Sequence, residues 1–165
     1  MNMSDQIYLD TLLLYYEEEI EGEAYFAELS QLFSQPDHKE KLTLLAKVER
    51  HAANAIEPLL AGHGMQPRPL QILTKSGRDQ ARATAADWPA LLADMNQNYP
   101  GFLEDFRALE TMAPAPDRDR LGFLTEHEVA AIAFLAREGQ GDANSVQPLN
   151  AYLAADPATW CAGRG

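Results

Sequence analysis

The chain has 165 residues, 46% of them hydrophobic and 23% charged, and its 13 Lys and Arg against 25 Asp and Glu leave a net charge of −12 at pH 7. This is the composition of one folded domain over residues 1–165 rather than of a disordered acidic tail. Its negative field works against binding to nucleic acid or to an anionic membrane surface. No run approaches the roughly 20 apolar residues of a membrane span, and no basic segment leads into an apolar one near Met1. The lone Cys161 cannot close an internal disulfide or build a cysteine metal site, so the expected location is the reducing cytoplasm.

In chain order, apolar residues recur at alternating spacings of four and three without a proline over residues 5–33, which predicts a first long helix. Pro36 and Asp37 make a turn, and a second helix follows over 38–61, with Pro58 near its end and Gly62, His63 and Gly64 as its stop. The connection is short, so the two helices fold back antiparallel. Between Met65 and Ala86 the periodicity breaks around Pro67, Pro69 and the run Ser76, Gly77 and Arg78, which reads as a long irregular crossover. Asp87 is a suitable N-cap for a third helix over 87–112, interrupted or bent at Pro100 and Gly101. Pro114 and Pro116 mark the next connection, a fourth helix fits 120–138, a short fifth fits 144–154, and Trp160 to Gly165 reads as a tail. No useful β-alternation is present, and the predicted fold class is all-α.

Three of these helices share one feature. The first carries Tyr8, Leu12, Tyr15, Glu19, Gly22, Phe26, Leu29 and Phe33 on one seam, and Glu19 is its only charged member. The second carries Leu42, Leu45, Glu49, Ala52, Ile56 and Leu59, and the fourth carries Leu121, Leu124, Glu128, Ala131 and Leu135. A single glutamate therefore interrupts each apolar seam at mid-helix. Superposing Glu49 on Glu128 aligns Leu42 with Leu121, Leu45 with Leu124 and Ala52 with Ala131, a pattern that suggests two related halves. A carboxylate in a bundle core costs several kcal/mol unless it is protonated, paired or bound to a cation.

Two antiparallel helices, a connection of about 20 to 25 residues and two further helices, with carboxylates at their centre, resemble the ferritin-like superfamily of di-iron and di-manganese four-helix bundles. The resemblance covers about residues 5 to 138. It implies that Glu19 is the lone ligand of the first helix, that Glu49 and Glu128 are the glutamates of the paired Glu-x-x-His motifs, and that iron or manganese is held for oxygen or peroxide chemistry. The chain departs from that pattern where Ala52 and Ala131 replace the histidines. His127 precedes Glu128 by one residue, about 100° around the helix, and is expected at the cavity edge as a supplementary ligand. His51 is two residues from Glu49 and so faces nearly the opposite side. In an alternative register His51 and His127 turn inward and both glutamates turn out. The third helix offers Tyr99 where a fourth carboxylate is expected, with Asp94, Asn98 and Asp105 on its flanks.

The competing reading is a metal-free bundle that binds a small hydrophobic ligand or forms a homodimer through a helical face. Tyr15, Tyr99 and Phe102 are expected in the core, or lining such a ligand's cavity. His38 and His63 are expected in solvent. The run from His127 to Ala131 lacks the second histidine of a zinc-protease helix, and no phosphate-binding glycine loop is present.

Overall fold

A computed structural model describes residues 1–160; Cys161 and the remainder of the expected tail lie outside the described residues. Among the described residues there are six α-helices and no strand: α1 (Met3–Leu32), α2 (Pro36–Gly62), α3 (Leu70–Arg82), α4 (Trp88–Met112), α5 (Arg118–Gly139) and α6 (Gln147–Ala154), with a 3-10 turn at Ala115–Asp117. Local chemistry sets the boundaries. The Asn2 side chain accepts from the Asp5 N–H at 2.8 Å while Asp5 accepts from the Asn2 N–H at 3.4 Å, a reciprocal cap on α1. Pro36 opens α2, where no N–H is required, and Asp87 accepts from the Ala90 N–H at 3.1 Å to cap α4. No helix among the described residues is long and apolar enough to cross a membrane.

Two sequence expectations need correction. The crossover is not irregular, because α3 occupies it. Its buried stripe is Leu73, Gly77 and Ala81, four residues apart, and two of these are too small to register as an apolar face. Gly77 is there for proximity: a Cβ at this position would lie 2.9 Å from the Ala24 Cβ and 3.0 Å from the Tyr25 amide nitrogen, so α3 rests directly on the α1 backbone. In addition, α4 runs unbroken through Pro100 and Gly101. Both are exposed, so the carbonyl left without its helical donor faces water.

α1 packs on α2, α2 on α5, and α5 on α4, while α4 makes only slight contact with α1. α3 lies against α1, and α6 covers α5 and α2. The predicted seams supply the core: Leu12, Leu29, Leu42, Ile56, Leu121, Leu124 and Leu135 are all buried, each contributing about 1.5–3 kcal/mol of transfer free energy. Polar clamps fix the helix ends. Asp117, just before α5, accepts from the Tyr8 hydroxyl of α1 at 2.6 Å, and its same Oδ2 lies 2.7 Å from Nε2 of His63 at the end of α2. Arg120 donates to the Ala55 carbonyl at 2.9 Å, close to where Pro58 interrupts the α2 ladder. His63 is exposed as expected while also partnered by Asp117, whereas His38 is half-buried and stacks on Trp88 with ring centroids 4.2 Å apart.

Candidate metal centre

The acidic run of α1 sorts its members by direction. Glu17 accepts from the Arg68 backbone N–H at 2.7 Å and from its guanidinium at 3.0 Å, and Glu21 accepts from Ser76 at 2.6 Å, so both tie the crossover down. Glu23 pairs with Arg50 of α2, and Glu18 is exposed. Glu17 is buried beneath Arg68 at 6% exposure, and Glu19, 4% exposed, turns towards α2 and α5. Three residues on, Gly22 leaves room for the Glu49 side chain: a Cβ there would stand 3.1 Å from the Glu49 Cδ.

Glu19, Glu49 and Glu128 converge on one nitrogen. His127 Nε2 lies 3.1 Å from Glu19 Oε2, 3.6 Å from Glu49 Oε2 and 3.5 Å from Glu128 Oε2. Its Nδ1 contacts the Leu124 carbonyl oxygen, which can only accept, so Nδ1 carries the proton and a neutral ring presents a bare Nε2 to the carboxylates. His127 is thus central, 1% exposed, and not at the cavity edge. Neighbouring positions on one helix both point inward because α5 is enclosed by α2, α4 and α6. The glutamate register holds, yet it includes His127. His51 turns away as its spacing requires, with Nε2 2.8 Å from the Ala155 carbonyl and its ring edge-on to Phe123 and Tyr152.

Burial raises the Glu19 pKa well above the carboxylate range, the Glu49 charge adds to this, and His127 opposes it. Burial acts on Glu49 in the same direction, but polar contacts with Glu19 and His127 outweigh it and hold the group below its ordinary value. Desolvation works against a charged His127, and the Glu19 and Glu49 carboxylates more than compensate, so its pKa is raised. Glu128 is pushed up to about 7 by burial, lowered in part by His127 and raised by Glu49. The cluster therefore retains protons at neutral pH where a cation would otherwise balance its charge.

The donors fit such a cation. Glu128 Oε1 is buried without a hydrogen-bond partner among the described residues, which costs about 1–3 kcal/mol, and Glu19 Oε2 makes no aligned hydrogen bond beyond the 3.1 Å approach of His127 Nε2. Ligand atoms of Glu19, Glu49 and His127 all lie within 4.8 Å of one another. With bonds of about 2.1 Å, neighbouring ligands in octahedral or tetrahedral shells stand roughly 3.0 to 3.4 Å apart, close to the separations around Nε2. α4 adds no carboxylate to this cluster. Tyr99 is half-buried on the wall of an adjoining cavity, and Asp94, Asn98 and Asp105 line its outer part. Phe102, expected in the core, is 47% exposed at this cavity. No protein-family model, curated protein or solved structure matches the chain, and the chemistry of the site rests on its own geometry.

Proposed function

We propose that the chain is a ferritin-like metalloprotein holding one iron or manganese ion through Glu19, Glu49, Glu128 and His127. The observation that carries this reading is the oriented, buried Nε2 facing three carboxylates, with Glu128 Oε1 left without a donor. Paired long helices on either side of a crossover support the ferritin-like assignment. Ala52 and Ala131, where the resemblance calls for histidines, support one ion rather than two. Three hard oxygen donors and one imidazole suit manganese or iron better than softer metals. When bound, the ion supplies redox chemistry towards oxygen or peroxide.

The chain's own residues set the conditions for that chemistry. The Leu124 carbonyl fixes the His127 ring, Gly22 gives Glu49 its position, and Phe106, with its ring centroid 5.1 Å from that of His127, shields one side from water. In the metal-free chain Glu128, its pKa pushed up to about 7, holds a proton that a bound cation would displace.

Metal content of protein purified without chelator or a histidine tag, measured by mass spectrometry, tests the reading. About one iron or manganese per chain is expected, falling below about a tenth in Glu19→Gln and Glu128→Gln variants of unchanged helicity. Less than about a tenth in the parent, even after anaerobic reconstitution, overturns it and leaves a proton-sharing core.

A further inference from the structure

A cavity of about 540 Å³ opens between α1 and α4 and has the carboxylate cluster as its floor. Its volume falls in the range of roughly 300–1,000 Å³ typical of small-molecule sites. Six rings line it: Tyr15, Tyr25, Phe26, Tyr99, Phe102 and Phe106. They form contacts leading inward, with Tyr99 and Phe102 centroids 5.8 Å apart, Tyr15 and Phe106 5.3 Å apart, and Phe106 and His127 5.1 Å apart. Glu18 of α1 and Asp94 and Asp105 of α4 stand exposed around the outer part. No Lys or Arg lines the cavity among the described residues.

From this lining we infer that the cavity binds a small organic cation, an amine bearing an aryl or alkyl group. The negative faces of the rings attract a cation, and the acids around the opening exclude an anion. The rings also favour an amine over a hydrated metal ion, since only the amine has a hydrocarbon part to bury against them. Glu19 and Glu128 line the inner end, so acidic groups stand at both ends of the cavity. The inference needs only the cavity walls, and it rests on the metal-centre reading solely for which end of the amine meets a bound ion.

Calorimetric titration of the full, metal-free chain with benzylammonium, benzyl alcohol and benzoate tests it. Benzylammonium is expected to bind 1:1 and at least about tenfold more tightly than benzyl alcohol, with no heat from benzoate. The exposed-site variants Glu18→Gln/Asp105→Asn and Phe102→Ala are each expected to weaken it by about tenfold, whereas Asp37→Asn/Glu40→Gln, removing the same charge outside the cavity, leaves it unchanged. Equal affinity for the alcohol, no binding of the amine, or binding that ignores the lining variants overturns the inference. Metal stoichiometry is read separately on the parent chain, so failure of one reading leaves the other intact.

Discussion

Two buried acidic sites of this molecule are built in opposite ways. At Asp117 one carboxylate oxygen is met by two donors, the Tyr8 hydroxyl at 2.6 Å and His63 Nε2 at 2.7 Å, and the site joins three helix ends. At His127 three carboxylates share one ring, and the buried Glu128 Oε1 has no donor. The first site contains the donors its charge requires and serves stability. The second has a surplus of acceptors, which a folded chain tolerates only where something positive binds.

His127→Ala should break the contrast most strongly. It leaves three carboxylates around a void, and the metal-free protein is expected to lose about 3–5 kcal/mol of stability above neutral pH, with added manganese restoring part of it in urea denaturation. The pH response comes next. The unfolded Glu128 deprotonates around its ordinary value of 4.5, while the folded group keeps its proton to about 7. The unfolded state thus binds fewer protons in that window, and stability falls as pH rises through it, on the order of 3 kcal/mol in all. His127 acts with the same sign: its folded pKa is raised, so its contribution is full below the unfolded value of 6.5 and is lost as pH climbs through the folded one. The melting temperature of metal-free protein should therefore drop between about pH 5 and about pH 8, and saturating manganese, which competes with those protons, should remove the drop. Asp117→Asn gives the smallest effect, about 1–2 kcal/mol of lost stability with metal content unchanged, since the amide oxygen still accepts one hydrogen bond. A loss of metal in that variant would erase the distinction between the two sites.

The sequence carried the carboxylates well because burial selects residues at helical spacing, and a lone charge in an apolar seam stands out. Glu19, Glu49 and Glu128 were legible for that reason, and His51 was correctly set opposite Glu49 by its two-residue offset. Other features depend on neighbours that no single helix reveals. The position of His127 follows from α5 having more than one interior face, and α3 hides behind a stripe in which glycine and alanine do the packing. The cavity is legible through Tyr15, Tyr99 and Phe102, but its acidic border joins Glu18 to Asp105 across 87 positions of sequence.

Gly22 has a consequence for how the chain would change under selection. Glycine inside a helix costs about 1 kcal/mol relative to alanine, and α1 accepts that cost where the Glu49 carboxylate needs the space. Breeding this protein for heat resistance alone would favour alanine at position 22, since Glu49 has only to retreat by a few tenths of an ångström. Each hardier descendant would then hold the Glu49 carboxylate slightly out of place, gaining durability while loosening the convergence of Glu19, Glu49 and His127.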